Sequence, residues 1–406
     1  MSSPSEPRPR VAVVAEFYPS RRDPVLGVWA HRQALAARDA GAEVRVLALH
    51  RLVPPRAALA GGGASAARAL LERLREPRSQ TRDGMHVEYV PFVSPARERT
   101  YSAWGAWAAP TLALALRRLA RTFPFELVHA HNAVPAGEAV RRALGGVPLV
   151  VSVHGGDVLY TARRDAAGAR AVASALGAAR LVLANSEGIA ELARAHGARA
   201  TRVVHLGADI PPGHSIRTSP AGAASAPTLV TAAHLVARKR HADVLRALAV
   251  LGPRQPALRY SIIGEGPERV ALEGLAARLG ISERVDFLGQ LQPRETLERM
   301  RGCTLYVMPS TDEAFGVAYV EAMAAGLPAI GCRGEPGPEE IAAAGDGFVL
   351  VPPGDIERLT QRIDELLSDP QRLREAGQRA RASVAASFTW RICGAQTLAA
   401  YRDALR

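Results

Sequence analysis

Short apolar runs of strand length alternate with helical segments along almost the whole chain. The first series of runs is VAVVAEF (11–17), VRVLAL (44–49), LVHAH (127–131), PLVVSVH (148–154), LVLANS (181–186) and TRVVHL (201–206). Continuous apolar runs are typical of strands buried on both faces of a parallel sheet. Because the runs alternate with helical segments, the sequence predicts doubly wound α/β sheets.

A second series of the same kind follows a break in the pattern. It consists of TLVTAAH (228–234), LRYSIIG (258–264), VDFLG (285–289), LYVMP (305–309), PAIGC (328–332) and FVLVP (348–352). The break, PPGHSIRTSPAGAASAP, is typical of a linker. At 406 residues the chain is longer than a single hydrophobic core usually accommodates, which favours two domains. We expect an N-terminal domain at 1–210, a linker at 211–227 and a C-terminal domain at 228–388. A C-terminal helix at 389–406 is expected to pack back on the N-terminal domain. Two such domains predict a ligand cleft at their facing strand ends.

The charge of the chain restricts the partners that it could bind. The net charge is +12, and nearly all of the positive charge is arginine because Lys239 is the only lysine. No zinc-finger, RNA-recognition or basic-zipper pattern accompanies this charge, so binding of nucleic acid is disfavoured. Of the two anionic partners, a membrane surface that the protein contacts peripherally is favoured over nucleic acid. The three cysteines form no CxxC pair, which fits the reducing cytoplasm and no structural zinc. No apolar run is long enough to span a bilayer.

Two segments of the first half are basic and amphipathic. RLVPPRAALAGGGASAARALLERLREPRSQTR (51–82) carries Leu70, Leu71 and Leu74 on one side of a predicted helix, and YSAWGAWAAPTLALALRRLAR (101–121) carries Trp104 and Trp107. Such segments can lie on membranes. The favoured interpretation is that both are core helices of the first domain with solvated arginines.

Two glutamates mark the strongest candidate site. Glu313 and Glu321 lie in STDEAFGVAYVEAMAAGLPAIG, where a turn-like TDEAFG precedes a short helix that Gly326 ends. Glu313 is therefore expected before the helix and Glu321 in its early turns. Between them, the backbone amides of Phe315, Gly316 and Val317 begin the helix. Carboxylates beside such amides suit a ligand that carries hydroxyls and phosphates.

Other candidate residues follow predicted strands. Gly27 precedes a helix near residue 28, although the loop lacks the GxGxxG of a classical dinucleotide site. His154 is the first residue of HGGD (154–157), where an imidazole could bind sugar hydroxyls or relay a proton. Because they end an adjacent strand, His129 and His131 could lie near His154. The spacing of metal-ligating residues does not support a zinc site there. Lys239 could reach a phosphate from a helix start. GEGPE (264–268) is a second glycine-rich turn.

Taken together, these motifs resemble the family 4 retaining glycosyltransferases, whose fold is called GT-B. The segments that carry the resemblance are DEAFGVAYVEAMAAGLPAI, IIGEGPERVALEGLAARLGISERVDFLG and GFVLVPPGD, with support from HAHNAVPAG, HGGD, ANSEG and VLGVWAHRQALAARDAGAEVRVL. The resemblance implies two Rossmann-like doubly wound domains that face a central cleft, with the acceptor bound by the N-terminal domain and the nucleotide sugar by the C-terminal domain. It also implies transfer of a hexose from a nucleotide-diphosphate sugar to a hydroxyl of a glycan, lipid-linked or small-molecule acceptor, with no obligatory metal or other cofactor.

The resemblance also implies residue roles. Glu321 would hold the donor ribose, Glu313 would contact the transferred sugar with the amides of Phe315 and Gly316, and Lys239 would neutralise the diphosphate. The Gly27 loop would add backbone donors, and His154 would lie at the reacting face. The donor-binding set implied is Gly27, His234, Arg238, Gly264, Glu265, Phe315, Gly316, Val317 and Glu321, with His154, Glu313 and Lys239 as catalytic residues.

Two positions of one motif depart from the family pattern. The usual phrase is Gly-Arg-Leu followed by a Lys-Gly pair, and here His234 occupies the arginine position and Arg240 the glycine position. A neutral imidazole grips a diphosphate less firmly than a guanidinium. Three explanations stay open: His234 acts when protonated, Arg238 or Arg240 substitutes, or the protein binds nucleotide sugars with impaired catalysis. A nucleotide-sugar epimerase or a glycoside phosphorylase on the same fold is the alternative function.

Overall fold

The computed structural model describes residues 8–54, 56–95, 100–211 and 226–406, and these residues form two compact units. The first unit contains the described residues up to His205 together with Trp390–Arg406, and the second contains those of Leu206–Thr389. Most of the segment predicted as a linker, residues 212–225, lies outside the described residues. Each unit has its own sheet and core.

The first unit is built on an eight-stranded sheet with the strand order β3-β4-β2-β1-β5-β6-β7-β8. Its pairings are parallel apart from the antiparallel edge pair β3 and β4. The strands are β1 (Arg10–Ala15), β2 (Glu43–Arg51), β3 (Ser79–Arg82), β4 (Met85–Phe92), β5 (Leu127–His131), β6 (Leu149–Val153), β7 (Leu181–Ala184) and β8 (Thr201–Val203). The central strands β5, β6 and β7 are buried along their whole length, as their continuous apolar sequences predict.

Helices connect these strands. They are α1 (Val28–Asp39), α2 (Arg56–Ala60), α3 (Gly63–Leu74), α4 (Trp104–Thr122), α5 (Glu138–Ala143), α6 (Ala162–Arg164), α7 (Ala166–Ala178) and α8 (Glu187–Ala195). Side-chain caps fix the starts of two of them: Asp165 accepts from the Gly168 amide at α7, and Ser186 accepts from the Ile189 amide at α8.

The second unit is built on a six-stranded parallel sheet with the order β11-β10-β9-β12-β13-β14. Its strands are β9 (Thr228–Ala232), β10 (Arg259–Ile263), β11 (Val285–Gly289), β12 (Leu305–Val307), β13 (Ala329–Cys332) and β14 (Phe348–Val351). Its helices are α9 (His241–Leu251), α10 (Arg269–Arg278), α11 (Pro293–Arg301), α12 (Val317–Ala324), α13 (Pro336–Ala343), α14 (Ile356–Leu367) and α15 (Pro370–Ser387). Leu229, Val244, Tyr260 and Leu305 belong to a core between the sheet and its helices.

The last helix, α16 (Trp390–Leu405), belongs to the first unit. It packs on α1 so closely that a Cβ at Gly394 would lie 2.2 Å from the Ala36 carbonyl oxygen. The Gln33 side chain donates to Thr397 over 3.2 Å. Close backbone approach of this kind requires glycine at position 394.

The structure differs from the sequence analysis at two places in the first unit. The sequence analysis does not predict β3 and β4, because SQTR of β3 is polar throughout and the polar residues of MHVEYVPF interrupt the apolar run of β4. The interpretation of both amphipathic segments as core helices holds for α4, where Trp104 and Leu112 are buried, but is wrong for α3, which buries no residue. Leu71 and Leu74 of α3 are 53% and 57% exposed, because α3 meets the rest of the unit through its polar face.

Candidate functional site

Glu313 lies in the second unit, in the loop between β12 and α12, as the sequence predicts. Gly316 precedes α12 with φ 92°, a left-handed conformation that favours glycine. A Cβ at Gly316 would also lie 2.2 Å from the Tyr319 ring. The loop is therefore held tightly against the start of the helix, with Phe315 buried below it.

The Glu313 carboxylate is buried among cations and hydroxyls. Lys239 Nζ lies 2.5 Å from Glu313 Oε2, Arg238 Nη1 lies 3.8 Å from the same oxygen, and the Ser310 hydroxyl donates to it over 2.8 Å. The Lys239 and Glu313 side chains are only 11% and 10% exposed. Burial tends to raise the pKa of Glu313, but the charge and hydrogen bond of Lys239, helped by Arg238 and Ser310, hold it below its ordinary value. Glu313 is therefore an anion at neutral pH.

Glu335 is a residue of this site that sequence reasoning missed. Its Oε2 accepts from the Glu313 amide over 2.8 Å, and this hydrogen bond holds the backbone of the loop at Glu313. Burial raises the pKa of Glu335, although the Glu313 and Asp312 amides oppose the shift. Behind it, a Cβ at Gly337 would lie 2.1 Å from Phe315 Cα, so α13 starts directly against the loop. The EPGPE segment at the start of α13 was the available signal.

The segment that follows β9 runs beside the glycine-rich turn that follows β10. His234 follows β9 and is exposed, and the Leu235 amide donates to the Glu265 carbonyl over 3.0 Å. A Cβ at Gly264, where φ is 141°, would lie 2.0 Å from the Ala233 carbonyl oxygen. The Glu265 carboxylate itself pairs with Arg269 at 2.5 Å.

Arg238 and Arg240, the two candidate replacements for the family arginine, differ in their surroundings. Arg240 Nε lies 2.5 Å from the buried Asp243 carboxylate, and its Nη2 lies beside Gly354. Arg238 instead shares the Glu313 carboxylate with Lys239. The structure thus brings Arg238, Lys239 and Glu313 together and leaves Arg240 with another partner.

Glu321 lies within α12, which begins at Val317. Burial is the main cause that raises the pKa of Tyr306, and the charges of Glu313 and Glu321 add to it. Glu321 is partly buried. The expected separation is confirmed: one glutamate precedes the helix and the other is part of it.

His154 lies in the first unit, directly after β6, where it forms part of a histidine cluster. Its Nε2 lies 3.0 Å from His131 Nδ1, and the two rings are stacked. His129 contacts the Tyr401 hydroxyl through Nδ1 and the Ser152 hydroxyl through Nε2, both at 2.8 Å. Burial lowers the pKa of His154 to about 4 and that of His129 to about 3, so both rings are neutral at neutral pH. The predicted approach of the three histidines is confirmed.

The HGGD loop also holds a buried carboxylate. Asp157 accepts from the Val134 amide over 3.0 Å and from the Asn132 side chain over 3.2 Å. Burial raises the pKa of Asp157 to about 6. Asn132 and Asp157 line a cavity of about 380 Å³ with Phe17, Tyr101, Tyr160 and Arg164. The aromatic residues were not predicted, since nothing in their local sequence links them to HGGD.

Gly27 caps α1 with φ 72°, and a Cβ there would lie 2.1 Å from the Phe17 carbonyl. The loop before it is held by Tyr18, whose hydroxyl lies 2.7 Å from His31 Nδ1. Asp83 lies 2.7 Å from the other nitrogen of His31. The predicted glycine turn at the start of α1 is therefore present and rigidly packed.

Both units match known glycosyltransferases. Residues 26–210 match the family described as Glycosyltransferase Family 4, and residues 216–383 match Glycosyl transferases group 1. The D-inositol 3-phosphate glycosyltransferase of Nocardia farcinica is 32% identical over 326 residues, which cover 73% of this chain and 71% of that protein. The chain belongs to the family 4 glycosyltransferases.

Other curated relatives are matched over less of their length. The match to a GDP-mannose-dependent mannosyltransferase of Corynebacterium glutamicum is 30% identical and covers 41% of this chain and 45% of the relative. The match to an exopolysaccharide phosphotransferase of Streptomyces coelicolor covers 45% of this chain and only 19% of that protein. The chain thus spans less than half of several of the relatives that it matches.

Solved structures confirm the fold class. Sucrose-phosphate synthase from Thermosynechococcus elongatus superposes with a TM-score of 0.77 at 20% identity, over 98% of this chain and 99% of that one. The Anabaena protein HepE, solved with UDP and glucose, gives a TM-score of 0.69 at 22% identity, over 98% and 100% of the two chains. The expected GT-B class, with two Rossmann-like doubly wound domains, is confirmed.

Proposed function

We propose that this protein is a retaining glycosyltransferase that moves a hexose from a nucleotide-diphosphate sugar to a hydroxyl of a glycan, lipid-linked or small-molecule acceptor. The observation that carries the proposal is the cluster of Lys239, Arg238 and Glu313. Two cations around one buried carboxylate can bind a diphosphate while the carboxylate accepts from sugar hydroxyls. Glu321 would hold the ribose, and the Phe315, Gly316 and Val317 segment would supply backbone contacts.

In the proposed reaction, the bond between the sugar C1 and the diphosphate oxygen breaks while the acceptor oxygen bonds to C1 on the same face. The acceptor proton passes to the departing phosphate oxygen, so atoms and charge balance without a protein base. The protein then needs to orient the substrates and stabilise the diphosphate. Glu313 suits the positioning role, because Lys239 and Arg238 keep it anionic.

We propose that Arg238 replaces the guanidinium that His234 lacks. Arg238 lies within reach of the Glu313 carboxylate, whereas Arg240 is paired with Asp243. A guanidinium beside Lys239 would supply the second charge that a diphosphate needs. This arrangement favours an active enzyme over a nucleotide-sugar-binding protein with impaired catalysis.

The acceptor is proposed to bind the first unit. His154 Nδ1 is buried and has no hydrogen-bond partner among the described residues, so it can bind a substrate hydroxyl. The nearby cavity offers aromatic rings, the Asn132 amide and the Asp157 carboxylate, which together suit the apolar face and the hydroxyls of a sugar or polyol. Gly27 would contribute backbone donors from the same unit.

We propose that the reaction needs no metal or other cofactor, because Lys239 and Arg238 supply the charge that a divalent cation would otherwise bring. The proposed setting is the cytoplasm, with peripheral contact with anionic membrane and no binding of nucleic acid. The free cysteines and the net charge of +12 support this setting. Among the described residues, no helix has the length and apolar character to cross a bilayer.

A donor screen tests the proposed function. UDP- and GDP-sugars are added singly to the full chain, and thermal stabilisation by mass action identifies the donor. Turnover is then measured with and without sugar acceptors, in EDTA and in Mg²⁺. We expect one donor to raise the melting temperature and transfer to depend on the acceptor but not on Mg²⁺. Epimerisation without an acceptor would favour the epimerase, and phosphate-dependent cleavage of a glycoside would favour the phosphorylase.

A further inference from the structure

Helix α3 is oriented with its apolar face towards solvent. Successive residues of an α-helix turn by about 100°, so Ala67, Leu70, Leu71 and Leu74 share one face. The three leucines are 38%, 53% and 57% exposed, and no residue of the helix is buried. A surface helix of a soluble domain normally shows the opposite arrangement, with its apolar stripe against the core.

The polar side of α3 makes the contacts with the rest of the unit. Glu72 pairs with Arg22 at 2.8 Å, and Glu76, just beyond the helix, accepts from the Arg21 amide over 3.1 Å. Arg73 donates to the Arg51 carbonyl over 2.7 Å. Since these polar contacts fix the helix from one side, the outward direction of the leucines is set by the fold.

The charges around the leucines are positive. Arg68, whose side chain is 84% exposed, lies beside the leucine face and pairs with Glu72 at 3.3 Å. Arg75 also lies beside the leucine face, and Arg78 is exposed shortly after the helix. Within Gly63–Leu74, which the structure describes in full, the only acidic residue is Glu72, on the inward side. A face of leucines bordered by arginines complements a surface that is both apolar and anionic.

We propose that the outward face of α3, formed by Leu70, Leu71 and Leu74 with the bordering Arg68 and Arg75, docks on anionic membrane lipid. The leucines would enter the acyl boundary and the arginines would contact the headgroup phosphates. Lipid fits better than a second copy of the chain, because a symmetric pairing would place the arginines of both copies near one another. The inference identifies the surface for the proposed membrane contact and does not depend on transferase activity.

Vesicle co-sedimentation of the full chain tests this surface. The vesicles contain phosphatidylcholine alone or an equimolar mixture with phosphatidylglycerol, in low and high salt. We expect binding to the anionic vesicles only, weakened by salt. The double variant Leu71→Asp/Leu74→Asp should lose roughly tenfold or more in partition coefficient. The matched control is Val270→Asp, which adds an aspartate at an 80% exposed residue of the second unit and should bind like the wild type.

Each outcome decides the proposal. Wild-type binding by the double variant, or no binding of the wild type to anionic vesicles, would overturn it. A wild-type dimer in light scattering that the double variant dissolves would assign the face to self-association instead. Melting curves of both variants verify folding, and transfer to a soluble acceptor is measured separately. Loss of vesicle binding with intact transfer, or the reverse, therefore distinguishes failure of the docking surface from failure of the proposed function.

Discussion

Replacement of Lys239 by methionine gives the most direct test of the buried ion pair. The substitution keeps the length of the side chain and removes the ammonium that lies 2.5 Å from Glu313 Oε2. Glu313 is 8% exposed, so the variant leaves a buried carboxylate with Arg238 at 3.8 Å as its remaining cation. We expect both stability and donor binding to fall.

The expected loss of stability follows from the geometry. At an effective dielectric constant of about 20, unit charges 2.5 Å apart attract by roughly 6–7 kcal/mol before desolvation is subtracted. Breaking a buried pair by removing one partner typically costs about 3–5 kcal/mol. Because Arg238 remains nearby and Ser310 still donates, we place the loss at about 2–3 kcal/mol. For a unit of this size, that lowers the melting temperature by several degrees.

A double-mutant cycle measures the pair itself. Lys239→Met, Glu313→Gln and the double variant are compared by thermal and urea unfolding. The double variant should be more stable than the sum of the single losses predicts, by about 2 kcal/mol, because it leaves no unpaired buried charge. A coupling energy near zero would refute the argument that this ion pair organises the site.

The pH dependence and donor binding provide two further readouts. The pKa of Glu313 is lowered in the folded wild type, so its contribution is present above the unfolded pKa of the carboxyl group and is lost as the pH falls through the folded value. The cost of Lys239→Met should therefore shrink in acid. Donor affinity should fall by roughly a hundredfold, since the charge-assisted contact of the Lys239 ammonium with the diphosphate would be lost, and Glu321→Ala should weaken binding less. Wild-type affinity in Lys239→Met would overturn the diphosphate assignment.

Three more predictions concern other parts of the structure. His154→Ala should lower kcat and leave nucleotide binding largely intact in calorimetry; unchanged turnover would remove it from the active site. Gly337→Ala should destabilise the protein by about 1–3 kcal/mol, because the added Cβ would overlap Phe315. The control Gly145→Ala should be tolerated, because a Cβ at Gly145 would meet open space. Equal melting temperatures of the two variants would contradict the predicted overlap. Burial lowers the pKa of His129 to about 3, so the neutral imidazole of the folded protein should cost it stability as the pH falls from about 6.5 towards 3. A His129→Gln variant should therefore lose less stability in acid than the wild type. Equal loss of stability in acid by the two proteins would refute this prediction.

Much of the candidate donor site could be predicted from the sequence because its parts are local. Glu313, Gly316 and Glu321 lie within one loop and helix, and the strand and helix signals on either side position them. Glu335 could not be predicted in the same way, since its contact with the Glu313 amide depends on α13 reaching back over the loop. The choice between Arg238 and Arg240 also required coordinates, because neighbouring residues in a tight turn point to different partners.

The sequence by itself determined the two doubly wound sheets apart from β3 and β4, since a strand buried on both faces must be apolar throughout and leaves a recognisable pattern. Only the tertiary structure decided the direction of α3. Its leucines form the same helical face whether they are buried or exposed, and sequence periodicity carries no information about which side meets the domain. Contacts from residues about fifty positions away, such as the Arg22–Glu72 ion pair, fix the polar side inward and leave the apolar side in solvent.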